Sequence, residues 1–322
     1  MLDEKSKVVL GGLPQLIHIK SENEANPVLL FLHGGPGVVN RHAVFSYGEL
    51  LSCFTLVGWD QRGSGGSYKG SPVEKLKVER FVDDAHELTV YLCERFKKDK
   101  IFVIGGSWGS ALGTLLCHKY PDNIAAYVGF GQFVDGEKNE EISYEFALNE
   151  AKKAKDNASV ATLERIGKPV GGVYKGGFDA MMAQRKVMMK YGGYSKSEEK
   201  RDYFNSMVVP MLKSGEYTFG ELWGVIRGYK IVLKAMWDEV AGLNFPRDIR
   251  EIKVPYFVFD GRLDYNTPAQ LVEDWFNELT APVKELIWFE ESGHNPMSDE
   301  REKFLRLLTD KLGNIREEGV RI

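Results

Sequence analysis

The sequence predicts an α/β fold in which a mostly parallel sheet carries helices on both faces and a helical segment is inserted in the middle of the chain. Short apolar runs alternate with longer amphipathic stretches up to about residue 130, and the alternation resumes after residue 250. The runs are continuous, as expected for strands that are buried on both faces of a parallel sheet. Residues 135–245 have a mainly helical pattern instead.

Three apolar runs predict the first parallel strands, namely residues 28–32, 54–59 and 101–104. The segment between the last two runs carries apolar residues at steps of three or four, the spacing of an amphipathic helix: Phe81, Ala85, Leu88, Leu92 and Phe96. A strand, a helix and a strand in this order form a βαβ unit, which implies a parallel sheet.

The two ends of the chain complete the predicted core. Residues 7–10 and 15–20 flank a Gly-Gly-Leu-Pro turn signal and predict an antiparallel hairpin. After the insertion we expect a strand, a helix, a strand and a closing helix, at residues 254–260, 269–279, 284–290 and 299–312. The core is therefore expected to comprise residues 1–134 and 246–322. Residues 135–245 would form a helical cap over the carboxyl edge of the sheet, where ligands bind in such folds.

Charge and composition exclude several classes of function. The 322 residues have a net charge of −4, so neither nucleic acid nor a membrane surface is an expected partner. No run approaches the roughly 20 apolar residues of a membrane span, and the charged N-terminus does not resemble a signal peptide. The three cysteines are widely spaced and form no metal-ligand pattern, so no metal or cofactor is expected. We expect a cytoplasmic protein acting on a small-molecule or short-peptide substrate, and the sequence leaves its oligomeric state open.

A candidate nucleophile follows the third apolar run. Residues 105–109 read Gly-Gly-Ser-Trp-Gly and lie between a predicted strand and a predicted helix at residues 110–119. This G-x-S-x-G pattern places Ser107 on a sharp turn in which neighbouring side chains would collide with the crossing backbone. The helix that follows favours negative charge at its N-terminus. The alternative is a glycine-rich turn without catalytic function.

Residues 33–37, His-Gly-Gly-Pro-Gly, end the first parallel strand and can present backbone N–H groups towards Ser107. We expect the N–H groups of Gly35 and Trp108 to form an oxyanion hole. A tight turn with no catalytic function is the alternative. His33 itself is expected to have a structural role.

The expected base is His294, because it lies in a loop after the last predicted strand, and it follows the serine and the acid in the chain order of this architecture. The acid is expected on the loop after the preceding strand, where Asp260 and Asp264 are both available. We favour Asp264, since Asp260 ends the strand itself, where aspartate often makes only turn hydrogen bonds. Together these residues predict a Ser-His-Asp hydrolase that works through an acyl-enzyme.

With these residues in place, the chain resembles the proline iminopeptidase branch of the α/β-hydrolase superfamily. The segments that match are residues 33–37, 60–65 (Asp-Gln-Arg-Gly-Ser-Gly), 105–110, 261–264 and 293–294. The resemblance implies an α/β-hydrolase fold and the release of N-terminal residues, often proline, from short peptides. It also implies that Asp60 and Arg62 belong to a buried polar turn that braces the active-site loops.

The family binds the free α-amino group of its substrate with acidic residues, and here the resemblance is incomplete. The tricorn-interacting members have an acid directly after the triad aspartate, whereas this chain has Tyr265. In the cap, Glu216, Glu221 and Glu239 are available, but the charged or amphipathic stretches around them favour solvated side chains.

Three functions remain open from the sequence. One is a peptidase of the proline iminopeptidase type, acting on small peptides or aminoacyl amides. Another is a carboxylesterase or amide hydrolase that acts on a small apolar ester or lactone without recognising an amine. A non-enzymatic binding protein on the same fold is a remote third.

The inserted segment is rich in sulfur and aromatic side chains. We expect some of them to line an adaptable apolar pocket, since methionine adapts readily to varied ligands. The alternative is that they pack the cap helices together. The residues concerned are Met181, Met182, Met188, Met189, Met207, Met211, Phe219, Trp223, Tyr229 and Trp237.

Overall fold

The computed structural model describes residues 1–69, 71–198 and 208–316 of the chain. The described residues form one sheet of eight strands in the spatial order β1-β2-β4-β3-β5-β6-β7-β8. The strands are β1 (Leu2–Leu10), β2 (Leu13–Ser21), β3 (Val28–Leu32), β4 (Thr55–Trp59), β5 (Ile101–Gly106), β6 (Ile124–Phe130), β7 (Tyr256–Gly261) and β8 (Lys284–Phe289).

The strands from β4 to β8 pair in parallel, whereas β1 pairs antiparallel with β2, and β2 pairs antiparallel with β4. The expected N-terminal hairpin and parallel sheet are therefore confirmed. Strand β6 was not among the predicted elements, because Ala125, Ala126 and Gly129 dilute its apolar run.

The helices before the insertion are α1 (Arg41–Ser46), α2 (Val78–Phe96) and α3 (Trp108–Lys119). Within the inserted segment the described residues form the helices α4 (Gly136–Lys153), α5 (Asn157–Ile166), α6 (Gly177–Lys190), α7 (Val209–Lys213) and α8 (Phe219–Ala241). The remaining helices are α9 (Phe245–Asp248), α10 (Ala269–Glu278), α11 (Pro296–Asp299) and α12 (Arg301–Arg316). None of the described helices combines the length and apolar character that crossing a membrane requires.

The sheet has an apolar cluster on each face, because neighbouring residues of a strand point to opposite sides. In β3, Leu30 belongs to the cluster that contains residues of helices α2, α3 and α10, whereas Leu29 and Phe31 belong to the cluster that contains residues of α12 on the other face. Helices α4 to α6 share a third cluster, to which Leu233 of α8 also belongs. Val232 and Met236, also on α8, belong to the cluster that contains Leu30. Helix α8 therefore connects the inserted segment to the sheet.

A buried ion pair ties the turn after β4 to helix α2. Arg62 donates to both carboxylate oxygens of Asp84, at 2.7 and 2.8 Å, and Gln15 of β2 donates to the same carboxylate at 2.6 Å. Neither charged side chain is exposed to solvent. Arg62 therefore lies in a buried polar turn, as the sequence implied.

We expect Asp84→Ala to lower the free energy of unfolding by about 3–5 kcal/mol, because it leaves a buried guanidinium without its counter-charge. Chemical denaturation monitored by circular dichroism measures this change. Asp83→Ala is the matched control on the same helix, since Asp83 pairs at 3.1 Å with the more exposed Lys119. Exposed pairs contribute about 1 kcal/mol or less. Equal losses in the two variants would contradict the expectation.

Candidate active site

Four loops that follow parallel strands meet at the carboxyl edge of the sheet. They carry Gly35 after β3, Ser107 after β5, Asp264 after β7 and His294 after β8. Gly35, Ser107, Trp108 and His294 line one cavity of about 620 Å³. Asp264 is buried behind His294. The fold thus brings all five residues predicted from the sequence to one place.

Ser107 lies on a left-handed turn between β5 and α3, with φ 56° and ψ −125°. The crossing backbone leaves no room for side chains beside it. A Cβ atom on Gly105 would lie 2.2 Å from the carbonyl oxygen of Gly109, and one on Gly109 would lie 2.0 Å from that of Leu32. The glycines of the pattern are therefore required for packing, and the turn presents Ser107 to the cavity.

Asp264 and His294 are in direct contact. His294 Nδ1 lies 2.8 Å from Asp264 Oδ2. The carboxylate also accepts hydrogen bonds from the backbone N–H groups of Asn266 and Thr267, at 2.7 and 3.0 Å, and from the Thr267 hydroxyl at 2.7 Å. Such donors stabilise the charged form and hold its oxygens in place.

The other ring nitrogen of His294 faces a side chain that the sequence analysis missed. Asn266 Nδ2 lies 3.1 Å from His294 Nε2. Among the hydrogen bonds of the described residues, none joins this nitrogen to Ser107. A hydrogen bond donated by Asn266 requires an unprotonated Nε2, which leaves the proton on Nδ1 facing Asp264. The only sequence signal for Asn266 is its place two residues after the acid.

Asp260, the alternative acid, lies inside the sheet. Its side chain is not exposed, and Oδ1 accepts the backbone N–H of Gln132 at 3.1 Å. Burial, together with the neighbouring charge of Asp264, raises the pKa of Asp260 well above its usual value. The geometry therefore offers Asp264, and not Asp260, as the partner of His294.

The loop after β3 passes close to Ser107. A Cβ atom on Gly34 would lie 3.2 Å from Ser107 Cβ, and Gly35 has a φ of 116°, which favours glycine. Trp108 is the first residue of α3, where backbone N–H groups have no partner within the helix. Both predicted oxyanion donors thus belong to segments that border the serine.

Gln61 connects these two segments. It accepts a hydrogen bond from Trp108 Nε1 at 2.9 Å and donates to the carbonyl of His33 at 3.0 Å. The backbone N–H of Gln61 also donates to His33 Nε2 at 3.1 Å. Burial lowers the pKa of His33 to about 4, so this side chain is neutral and structural.

Methionines and aromatic residues form much of the cavity wall, as one of the two sequence interpretations expected. The predicted residues that line the cavity are Met181, Met182, Met189, Met211, Phe219, Tyr229 and Trp237. Met188 and Trp223 are not among the lining residues, and Met207 lies outside the described residues. Met188 packs instead against Gly193 within the helical segment.

Few charged side chains reach this cavity. Of the described lining residues, histidines apart, only Arg185 and Asp299 carry a charge. Arg185 pairs with Glu140 of α4. Asp299 accepts the backbone N–H of Gly293 at 3.3 Å. The described residues contain no group of three or more side chains suited to holding a metal ion.

The expectation of solvated glutamates is wrong for Glu216 and Glu221. Glu221 caps α8 through Thr218, lies 3.3 Å from Arg41 Nη2 and is 8% exposed. Glu216 lies 2.7 Å from Lys20 Nζ and 3.1 Å from His18 Nδ1. Both are paired because their segment packs against β2 and α1, which the sequence pattern could not reveal.

Glu239 and Tyr265 also lie away from the cavity wall. Glu239 is half-exposed and pairs with Lys77 at 2.8 Å. Tyr265 stacks on Phe146 of α4, with ring centroids 3.8 Å apart, and its backbone N–H donates to Gly193. The residue after Asp264 therefore holds the acid loop against the helical segment.

Comparisons with known proteins identify the family and the fold. Residues 27–166 match the family model of the alpha/beta hydrolase fold. The probable aminopeptidase YbaC of Bacillus subtilis is 30% identical over 318 residues, which cover 96% of this chain and 98% of that protein. The proline iminopeptidase of Clostridioides difficile is 24% identical, with 94% and 95% of the two chains covered.

Solved structures show the same fold. The crystal structure of proline iminopeptidase from Mycobacterium smegmatis superposes with a TM-score of 0.69 at 16% identity, covering 97% of this chain and 98% of that one. A thermophilic esterase from Thermogutta terrifontis superposes with a TM-score of 0.62 at 16% identity, covering 98% and 99%. The match to YbaC covers nearly the whole of both chains, which shows that the two proteins belong to one family. This family membership identifies the protein as an enzyme rather than a binding protein. The chain belongs to the α/β-hydrolase family of serine hydrolases, in its proline iminopeptidase-like branch.

Proposed function

We propose that this protein is a Ser-His-Asp hydrolase that releases N-terminal residues from small peptides or aminoacyl amides through an acyl-enzyme. The observation that carries the proposal is the 2.8 Å contact between His294 and Asp264 beside a cavity that also contains Ser107. The proposed roles are those of nucleophile for Ser107, base for His294 and orienting acid for Asp264.

In the proposed mechanism, Ser107 Oγ transfers its proton to His294 Nε2 as it bonds to the substrate carbonyl carbon. Asp264 keeps Nδ1 protonated and stabilises the imidazolium. The Nε2 proton then passes to the leaving amine as the C–N bond breaks, and an acyl-enzyme remains. Water repeats the sequence, giving its proton to Nε2 and releasing the acid.

The oxygen that becomes negative during these steps requires hydrogen-bond donors. We assign this role to the backbone N–H groups of Gly35 and Trp108, which border Ser107 on two sides. Donors already in place when the charge develops are worth about 3–4 kcal/mol each. Gln61 is hydrogen-bonded to both segments and so holds the two donors in a fixed position relative to each other.

In the proposed division of the chain into a core and a cap, the substrate is enclosed between the two parts. Residues 1–134 and 246–322 form the catalytic core, and residues 135–245 form a cap. Support comes from the apolar cluster that α4 to α6 share, and from the cavity wall, to which Met181 and Met189 of α6 contribute. An apolar side chain of the substrate's N-terminal residue fits this wall.

A second candidate is hydrolysis of small apolar esters without recognition of an amine. The scarcity of charge on the cavity favours it, since Asp299 is the sole carboxylate among the described lining residues. A bound α-ammonium group requires a nearby negative charge or several acceptors. The two candidates share their catalytic residues and differ only in this requirement.

Three substrates separate the candidates: proline β-naphthylamide, its N-acetyl derivative and 4-nitrophenyl butyrate. We expect turnover of the free amine and a loss of at least about 100-fold in kcat/KM on acetylation, because acetylation removes the charge that the site must recognise. Leucine β-naphthylamide tests whether another apolar residue is accepted. Turnover of the butyrate with no effect of acetylation would contradict the peptidase proposal and favour the esterase.

A further inference from the structure

The side chain of Asn266 lies where a leaving group must receive its proton. Its amide nitrogen is 3.1 Å from His294 Nε2, and Asn266 lines the cavity together with Ser107. In serine hydrolysis, Nε2 hands its proton to the departing atom of the substrate. A side chain in contact with Nε2 is therefore within reach of that departing atom.

The backbone holds Asn266 firmly on both sides. Its N–H donates to Asp264 Oδ1 at 2.7 Å, and its carbonyl accepts from Asn139 Nδ2 of helix α4 at 3.0 Å. The next residue, Thr267, bonds the same carboxylate through both its N–H and its hydroxyl. Only the side-chain torsions of Asn266 remain adjustable, so its amide can turn from Nε2 towards the cavity while the backbone stays in place.

We infer that Asn266 binds the leaving group of the substrate and selects an amide over an ester. This role of Asn266 depends on the proposed serine hydrolase function. A primary amide has an acceptor oxygen and a donor NH₂ on one planar group. Once Nε2 carries the proton taken from Ser107, it can no longer accept a hydrogen bond from the Asn266 NH₂ group. The amide then turns away from Nε2, and its oxygen accepts the N–H of the scissile amide.

That hydrogen bond directs the nitrogen lone pair to the protonated Nε2 of His294. The proton moves from Nε2 to this nitrogen, the C–N bond breaks with its electron pair going to nitrogen, and the acyl group stays on Ser107. An ester oxygen has no hydrogen to donate, so Asn266 gives it no such help. Removing the amide side chain should therefore slow amide cleavage selectively.

The test compares Asn266→Ala and Asn266→Ser with wild type and with Asn277→Ala, a matched control on the exposed side of α10. The substrates are leucine 4-nitroanilide and leucine methyl ester, with butyryl 4-nitroanilide and 4-nitrophenyl butyrate as a second pair. Within each pair the acyl group is constant, and the leaving atom changes from N–H to oxygen.

For Asn266→Ala we expect kcat/KM to fall about 10- to 30-fold on the anilides and less than about 3-fold on the esters, the effect of one hydrogen bond in the transition state. Asn266→Ser, which keeps an acceptor, should lie in between. Asn277→Ala should match wild type.

Equal losses on amides and esters would overturn the inference, since a merely structural residue affects both alike. Wild-type enzyme that cleaves the esters but neither anilide would overturn it as well. These outcomes are separate from failure of the proposed function, in which Ser107→Ala would retain the activity.

Discussion

Replacing Ser107 by alanine is expected to lower kcat by at least about 10⁴-fold, because no other group can form the acyl-enzyme. The turn and the cavity should remain, since alanine lacks only the hydroxyl. The measurement is hydrolysis of the best substrate from the panel above, together with labelling by a fluorescent phosphonate probe, which marks an activated serine.

Ser46→Ala is the matched control, because Ser46 is exposed and its hydroxyl bonds only the carbonyl of Ala43. It should label and turn over as wild type does. Equal labelling of wild type and Ser107→Ala would contradict the assignment of the nucleophile. If Ser107→Ala unfolds at the same temperature as wild type, its loss of activity is due to the missing hydroxyl group and not to unfolding.

The second large effect is expected for Asp264→Asn, which should lower kcat by about 10⁴-fold. An asparagine in this place can turn its NH₂ group to His294 Nδ1, which then accepts a proton instead of donating one. Nε2 would carry the proton and could no longer take another from Ser107. The pH dependence of kcat should also change, and steady-state kinetics from pH 5 to 9 would measure both effects.

Asp260→Asn is the control for the second prediction, and it should keep activity within about 3-fold of wild type. Because burial raises the pKa of Asp260, this side chain keeps its proton to a higher pH than an exposed aspartic acid does. Asparagine has nearly the same shape, and its oxygen can still accept the N–H of Gln132. If Asp260→Asn were the inactive variant, the acid would have to be reassigned.

The raised pKa of Asp260 also predicts how the stability depends on pH. From a pH of about 4 upwards, the unfolded chain loses this proton before the folded protein does, so the group lowers stability as pH rises towards its folded pKa. Asp260→Asn removes the dependence. Relative to wild type, the variant should become more stable as the pH rises above about 4, as measured by urea denaturation at each pH. A constant difference would contradict this expectation.

Much of the fold could be predicted because its strands are buried on both faces. Such strands must be apolar throughout, and residues 28–32 and 101–104 show this directly. Strand β6 escaped prediction because the small residues Ala125, Ala126 and Gly129 dilute its apolar run.

The candidate catalytic residues were also accessible to prediction, since parallel strands bring their carboxyl ends to a single edge of the sheet. Ser107, Asp264 and His294 each follow a predicted strand. This pattern was enough to predict that the three residues lie close together. Asn266 and Gln61 could not be recognised in this way. Their importance depends on hydrogen bonds to partners distant in the chain, and asparagine and glutamine are common in loops.

The amino-acid sequence by itself determined that this protein is an α/β-hydrolase with a serine, a histidine and an aspartate at the ends of three strands. Those features follow from local rules of burial, turn geometry and strand order. The tertiary structure was needed for whatever depends on contacts between distant segments. Glu216 pairs with Lys20, Glu221 pairs with Arg41, and Asn266 lies on His294 Nε2. Three methionines of α6, namely Met181, Met182 and Met189, form part of the cavity wall. Such contacts arise when segments that are distant in the chain pack together, and no local pattern records that packing.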